Sequence, residues 1–105
     1  MDFQTYQQEA MTTALPTALN ESYMFLNLAA EAGEVAALLA KAGRDGWTVD
    51  ELRDRAVHEL GDVLWQVAGC CEVLGLSLET VAAANLEKLA DRKARGAITG
   101  SGDYR

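Results

Sequence analysis

Cysteine and proline are scarce in this sequence of 105 residues, which contains two cysteines and one proline. Cys70 and Cys71 are adjacent, a spacing that gives neither a disulfide framework nor a zinc-site pattern. Because both lie in an apolar helical run, we expect them to pack in a core. Alternating runs of β-branched residues are also missing, whereas apolar residues recur at intervals of three and four. This periodicity predicts an all-α protein.

Long unbroken apolar runs are absent as well. The longest, such as residues 36–40, fall far short of the roughly 20 residues of a membrane span. The N-terminal residues show no basic segment followed by an apolar core, so no targeting signal is predicted. We therefore expect a cytoplasmic protein with no membrane partner.

Basic residues are also few: the sequence contains nine Lys and Arg residues and sixteen Asp and Glu residues, which gives a net charge of −7. This balance argues against binding a nucleic-acid polymer. The few bases are concentrated, because residues 85–105 contain five bases and three acids, whereas residues 1–84 contain four bases and thirteen acids. An acidic body with a basic end suits a site where carboxylates hold cations and Lys or Arg holds phosphate.

Four helical segments are predicted, over residues 2–15, 20–43, 48–75 and 77–96. Pro16 ends the first, because its ring cannot continue a helix interior. Asn20 and Ser77 are favourable N-caps, and Thr48 with Glu51 forms a capping box. Gly43, Gly75 and Gly96 are the expected helix stops.

These segments predict one domain, an all-α helical bundle of about four helices with long antiparallel central helices. Residues 1–96 form the domain, and residues 97–105 form its glycine-rich C-terminal tail. The third helix is long for so short a chain and carries apolar residues, among them Val57 and Trp65, outside its main seam. The bundle is therefore expected to assemble as a homo-oligomer.

Two carboxylate pairs repeat one pattern, acid, any residue, glycine, acid, at residues 31–34 and 59–62. Each pair places like charges on one helix face and a glycine in the helix interior, which cost a few tenths and about 1 kcal/mol respectively. Nothing local offsets these costs. At about 100° per residue, both pairs flank the apolar seam of their helix. The acids that would converge if the seams face each other are Glu31, Glu34, Glu59 and Asp62.

Such a cluster must either bind cations or raise the pKa of its carboxyl groups, and a metal ion is the simpler answer. Oxygen ligands favour a hard cation, Mg²⁺ first and Mn²⁺ as a substitute, and Mg²⁺ takes part of its shell from substrate phosphates. A di-iron centre is disfavoured, because it needs Glu-x-x-His motifs and the single histidine, His58, points about 100° away from Glu59. The competing interpretation is a solvated face that pairs with Lys41, Arg53 or Arg55.

The residues that carry chemistry resemble those of the MazG-like all-α nucleoside triphosphate pyrophosphohydrolases, in particular short single-domain members. The signature ExxE, a variable gap and ExxD stands here at residues 31–34 and 59–62. A helix with Asn-x-x-Lys and further bases follows, here at residues 85–95. Residues 3–7 and 95–105 are also similar to the ends of short members.

The resemblance implies Mg²⁺-dependent hydrolysis of (deoxy)nucleoside triphosphates, (d)NTPs, to nucleoside monophosphate and pyrophosphate. The four acids would be metal ligands. Our own mechanistic hypothesis takes Glu34 and Glu59 as catalytic residues, with Glu34 as the acceptor of the water's proton. The residues implied for the phosphates are Asn85, Lys88, Arg92 and Arg95. The family also favours a homodimer or a homotetramer built as a dimer of dimers.

The side chains able to contact a base are Gln4, Gln7, Gln8, Asn27, Tyr6, Phe25, Trp47 and Trp65. Three alternatives stay open at this point: a sanitising hydrolase narrow for one modified dNTP, a non-catalytic nucleotide- or metal-binding module, and a protein that interacts only through its helical seams.

Overall fold

A computed structural model describes residues 1–103, which contain four α-helices, one short 3₁₀ turn and no strand. The helices are α1 (Phe3–Met11), α2 (Glu21–Asp45), α3 (Val49–Val73) and α4 (Leu78–Ala94), and the 3₁₀ turn is Pro16–Ala18. The all-α prediction is confirmed. Tyr104 and Arg105, at the end of the predicted tail, lie outside the described residues.

The helix starts follow the predicted caps. Side-chain oxygens of Asn20, Thr48 and Ser77 each accept the backbone N–H three residues ahead, and Glu51 completes the capping box with Thr48. These bonds satisfy amide groups that have no partner within the helix.

Two predicted helix ends were wrong. The second helix continues through Gly43 to Asp45 and is closed by Gly46, whose φ of 68° is the left-handed conformation that glycine adopts readily. The first helix ends at Met11, before Pro16, because the hydroxyls of Thr12 and Thr13 donate back to the carbonyls of Glu9 and Ala10 at 2.6 Å.

The long helices α2 and α3 form an antiparallel hairpin, as predicted. Met24 near the start of α2 lies against Gln66 and Cys70 near the end of α3, and both Met24 and Gln66 are fully buried. A Cβ added at Gly69 would overlap the Met24 side chain, so the glycine permits this close approach. The buried cysteines are free thiols that pack in the core, as expected.

The fourth helix does not run beside the hairpin as a bundle helix would, because α4 leaves α3 at a bend of 104°. The buried side chain of Gln7 in α1 fixes this corner: its amide donates to the Leu76 carbonyl at 3.0 Å and accepts the Leu78 N–H at 2.7 Å. Ala68 and Leu78 form the small core there, with Tyr6 packed against them.

The single chain is open. Its radius of gyration is 16.4 Å, compared with about 13 Å for a compact domain of 100 residues. Its accessible surface is 7367 Å², compared with about 5,700 Å² expected for a compact monomer of this mass. Large apolar side chains are exposed on all three long helices, including Leu26, Leu39, Val57, Leu60, Leu64 and Leu86.

By length and composition alone, α2 could cross a membrane: its most apolar 18-residue stretch has a mean hydropathy of 1.3, and 11% of that stretch is buried. The α3–α4 pair passes the same test only when counted as one bent span. The argument from unbroken apolar runs missed α2 because Glu31 and Glu34 interrupt its apolar sequence. Both acids lie in the middle of the helix, where charge is costly in lipid.

Candidate metal centre

Three of the four predicted acids converge. Glu31 on α2 and Glu59 and Asp62 on α3 each offer a carboxylate oxygen, and these oxygens lie within 4.8 Å of one another. The antiparallel pairing of α2 and α3 produces this meeting, because it sets the middle of one helix against the middle of the other. Glu31 and Glu59 are half-buried and Asp62 is exposed, so the cluster opens to solvent on one side.

Glu34 is not part of this group in the structure. Its side chain is 55% exposed, and its carboxylate lies 3.9 Å from the ammonium of Lys41, about two turns further along α2. Its side chain leaves the helix about 60° away from that of Glu31, and the ion pair with Lys41 holds the carboxylate on that side. The structure thus supports a three-carboxylate cluster beside a fourth acid, and the ligand role of Glu34 stays a prediction.

The residues present fit a divalent cation with oxygen ligands. Like charges this close repel one another unless a cation or protons neutralise them, and carboxylate oxygens are the donors that Mg²⁺ and Mn²⁺ accept. The three oxygens leave part of a six-fold shell for water or phosphate. Within residues 1–103 no histidine or cysteine joins this group, which keeps the di-iron interpretation disfavoured.

A buried amide network that sequence reasoning missed lies directly beside the cluster. Asn27 Nδ2 donates to Gln66 Oε1 at 2.9 Å and reaches Glu31 Oε1 at 3.4 Å. Gln66, which is 1% exposed, also donates to the Met24 carbonyl at 3.1 Å. The sequence feature that could have predicted this network is Gln66 itself, a polar residue on the apolar seam of α3 one turn after Asp62.

Tyr6 lies on the α1 side of α3, within electrostatic reach of the cluster. Burial of the ring and the nearby Asp62 carboxylate raise the pKa of the Tyr6 hydroxyl. The hydroxyl therefore remains a neutral hydrogen-bond donor at physiological pH. Gln7 and Asn27, which were named as able to contact a base, make hydrogen bonds within the fold.

The glycines inside the two acid motifs face open space. A Cβ added at Gly33 or at Gly61 would meet no atom within 4 Å. No close approach within the described chain requires either glycine, although glycine costs about 1 kcal/mol relative to alanine in a helix interior.

The predicted phosphate-binding bases form a separate site on α4. Lys88 is 3.1 Å and Arg92 is 3.4 Å from the Asp103 carboxylate, and Arg92 also donates to the Gly102 carbonyl at 3.3 Å. These cations lower the pKa of the Asp103 carboxyl. Arg92 is 4% exposed, and its Nε has no hydrogen-bond partner among residues 1–103. Gly102 and Asp103 of the tail thus lie against the bases.

The other two residues of this stripe are exposed, and Arg95 bonds Asp91 at 2.9 Å while Asn85 lies at the solvent surface. Asp62 lies 11 residues before the end of α3 and Lys88 lies 10 residues beyond the start of α4, each about 15 Å from the corner at 1.5 Å per residue. With the 104° bend between the helices, the acids and the α4 bases are separated by on the order of 20 Å within one chain.

A family profile described as the MazG nucleotide pyrophosphohydrolase domain matches residues 19–96. The matched range contains the acid cluster, the amide network and all of α4. The chain belongs to the MazG family. MazG proteins are in general nucleoside triphosphate pyrophosphohydrolases that use a divalent metal, which agrees with the chemistry of the carboxylate cluster.

One relative is a phage protein. Over an alignment of 114 positions that covers 100% of both chains, this MazG protein is 41% identical to the Gene 37 protein of Mycobacterium phage L5. That name states no activity. No solved structure gives a significant match to the chain.

Proposed function

We propose that the protein hydrolyses (deoxy)nucleoside triphosphates to nucleoside monophosphate and pyrophosphate, with Mg²⁺ held by Glu31, Glu59 and Asp62. The single observation that carries this proposal is the convergence of three carboxylate oxygens within 4.8 Å at the motif positions of a MazG domain. Mn²⁺ is the expected substitute, because it accepts the same oxygen ligands.

In the proposed reaction, the oxygen of a water molecule attacks the α-phosphorus and forms a new P–O bond. The bond from the α-phosphorus to the bridging oxygen breaks, and pyrophosphate leaves with the electron pair. When bound, the metal supplies charge neutralisation and a lowered pKa of the attacking water. Glu34 is the proposed acceptor of the water's proton, because it stands beside the cluster without joining it. Glu59 is the second catalytic carboxylate.

The proposed contacts to the substrate's outer phosphates come from Asn85, Lys88, Arg92 and Arg95. Because these residues lie far from the acids of their own chain, we propose that α4 reaches the acid cluster from a second copy. We therefore propose a homodimer, or a homotetramer built as a dimer of dimers.

The open shape of the chain supports such an assembly. The excess of exposed surface over a compact monomer is on the order of 1,600 Å² per chain, the area that each subunit buries in an obligate dimer. On α3, Val57, Leu60 and Leu64 are exposed and follow one another at helical spacing, which makes a continuous apolar stripe. We propose that this stripe is buried against a second copy of the chain.

The deciding experiment is pyrophosphate release from a panel of ribo- and deoxynucleoside triphosphates, with Mg²⁺ and with EDTA. Glu59→Gln removes one carboxylate of the cluster, and Asp54→Asn removes an exposed acid of the same helix outside it. We expect Glu59→Gln to lower kcat by about a thousandfold or more and Asp54→Asn to leave it unchanged. An unchanged kcat in Glu59→Gln contradicts the assignment.

The same panel separates the alternatives. Turnover of one dNTP far above all others supports a narrow sanitising hydrolase. Metal-dependent nucleotide binding without pyrophosphate release supports a non-catalytic module. The net charge of −7 supports free nucleotides, rather than a nucleic-acid polymer, as the ligand class.

A further inference from the structure

A small pocket of about 210 Å³ adjoins the acid cluster at the end of the hairpin where α2 turns into α3. The residues that line it are Leu38, Lys41, Trp47, Arg55, His58 and Glu59. Glu59 belongs both to this pocket and to the carboxylate cluster. A ligand in the pocket therefore lies directly beside a metal held by the cluster.

Two cations of the pocket are held in place by neighbours. The Arg55 guanidinium lies over the Trp47 ring, with Cζ 4.1 Å from the ring centroid. Stacking on an aromatic face orients a guanidinium while leaving its N–H groups available to an anion. The Lys41 ammonium lies 3.9 Å from Glu34, which tethers it beside the acid motif of α2.

The charges that face the pocket come from both helices and the loop. The cations are Lys41 and Arg55, and the acids close to them are Glu59, Glu34 and Asp45. The pKa of the Asp45 carboxyl is lowered, first by its hydrogen bonds to Arg44 and then by the charges of Arg55 and Lys41. The Arg44 guanidinium donates two hydrogen bonds of 2.8 Å to the Asp45 carboxylate and so neutralises its charge. Once Glu59 is committed to a metal, Lys41 and Arg55 are the cations that can pair with an added anion.

Other bases of the described chain are less suited to this role. Arg53, two residues from Arg55, lies 3.5 Å from Asp50 on the exposed side of α3. Lys88 and Arg92 are bound to Asp103 and stand on α4, away from the acids of the same chain. Lys41 and Arg55 are thus the described cations that adjoin the cluster within one protomer.

We propose that this pocket is a phosphate subsite, in which Arg55 and Lys41 bind the phosphoryl oxygens of a polyphosphate chain. The inference rests on the proposed function, because the cluster would hold the cation that neutralises the charge of those phosphates. Arg55 matches phosphate oxygens with two parallel N–H groups, whereas Lys41 acts as a point charge. Trp47 is a positioning residue that holds the guanidinium in place.

Binding of inorganic tripolyphosphate in the presence of Mg²⁺, measured by titration calorimetry, tests the subsite without requiring turnover. Arg55→Ala is compared with Arg53→Ala, which removes the same charge from the same helix two residues away. We expect Arg55→Ala and Lys41→Ala each to weaken binding by about tenfold or more, and Arg53→Ala to change it by less than about twofold.

Circular dichroism of each variant controls for folding, and Arg55→Gln provides a second variant that keeps the length of the side chain. We expect Arg55→Gln to weaken binding as Arg55→Ala does. Equal effects of Arg55→Ala and Arg53→Ala overturn the proposal, as does a loss of affinity confined to Lys88→Ala. Trp47→Leu is expected to weaken binding less than Arg55→Ala, since it removes the ring on which the Arg55 guanidinium stacks and leaves the guanidinium charge in place.

The subsite and the proposed function fail separately. If tripolyphosphate binds through Arg55 and no nucleotide is hydrolysed, the subsite stands and the hydrolase assignment falls. If nucleotides are hydrolysed and Arg55→Ala leaves both tripolyphosphate affinity and KM unchanged, the hydrolase assignment stands and the subsite falls.

Discussion

Asn27 on α2 donates its side-chain N–H to Gln66 Oε1 on α3 at 2.9 Å. The direction of this bond is set by the backbone, because Gln66 must turn its NH₂ group toward the Met24 carbonyl and therefore presents its oxygen to Asn27. Asn27 must then present its NH₂ group, which also faces Glu31. A single backbone carbonyl thereby fixes a donor beside a carboxylate of the cluster.

Replacing Gln66 by Leu is expected to lower the free energy of unfolding by about 1–3 kcal/mol, because the Met24 carbonyl and Asn27 lose a buried partner. We also expect a smaller rise of the melting temperature Tm on addition of Mg²⁺, since Glu31 loses its fixed donor. Met24→Leu is the control in the same core layer, because it keeps volume and the backbone carbonyl. Equal Mg²⁺-induced shifts in both variants contradict this positioning role of Gln66.

Alanine at Gly33 or Gly61 separates the stability of the chain from its function. Because nothing in the chain lies where the added Cβ would stand, each substitution is expected to stabilise its helix by about 1 kcal/mol and to raise Tm. We expect kcat/KM for nucleotide hydrolysis to fall, since we propose that the substrate or a second copy uses this open space. Gly43→Ala is the matched control, a helical glycine of α2 with equally open surroundings beyond the acid motif. Full activity in Gly33→Ala and Gly61→Ala would show that the space is unused.

Asp103 is expected to hold the tail on α4 by charge. The pKa of its carboxyl is lowered by Lys88 and Arg92 from the ordinary value of 3.8, so its contribution is present above that pH and is lost as pH falls through the lower folded value. Asp103→Asn imitates the loss at neutral pH. Tryptic cleavage after Arg95 should then become roughly two- to fivefold faster, as for other exposed ion pairs. Ser101→Ala, in the same tail, should leave the rate unchanged, and an unchanged rate in Asp103→Asn would assign the docking to other contacts.

A charge placed on the apolar stripe of α3 should dissociate the oligomer. We expect Leu60→Lys to elute as a monomer in size-exclusion chromatography with light scattering, because the lysine would bring an unpaired charge into a subunit interface. Gln8→Lys adds the same charge at an exposed polar position of α1 and should keep the assembly. An unmodified protein that is already monomeric at micromolar concentration would remove the proposed role of the second copy.

Sequence patterns predicted the features that depend on neighbouring residues. The capping box at Thr48, the caps at Asn20 and Ser77 and the antiparallel pairing of the two long helices follow from local rules, and the structure confirms them. Helical spacing also brought three of the four acids together correctly. Glu34 deviates because its carboxylate pairs with Lys41, about two turns further along the same helix, a contact that the spacing of the acids does not indicate.

Features that depend on distant contacts were not predictable in the same way. The bend at Leu78 is set by Gln7, more than 70 residues earlier, whose polar character suggested a ligand contact rather than a structural bond. The pairing of Lys88 with Asp103 required knowledge of how the tail folds. Gln66 gave a clearer signal, since a polar residue on an apolar seam needs a buried partner.

The antiparallel hairpin also constrains how such a chain can vary in length. A residue inserted within α2 between Glu34 and Gly46 would rotate Glu31 by about 100° relative to the end of α2 and to α3. The rotation would take the Glu31 carboxylate away from Asp62. Residues added at the 46–48 connection leave both helices in phase, and matched additions of whole turns to both helices do the same. The spacing between the two acid motifs is therefore free to change at the tip of the hairpin and restricted along its arms.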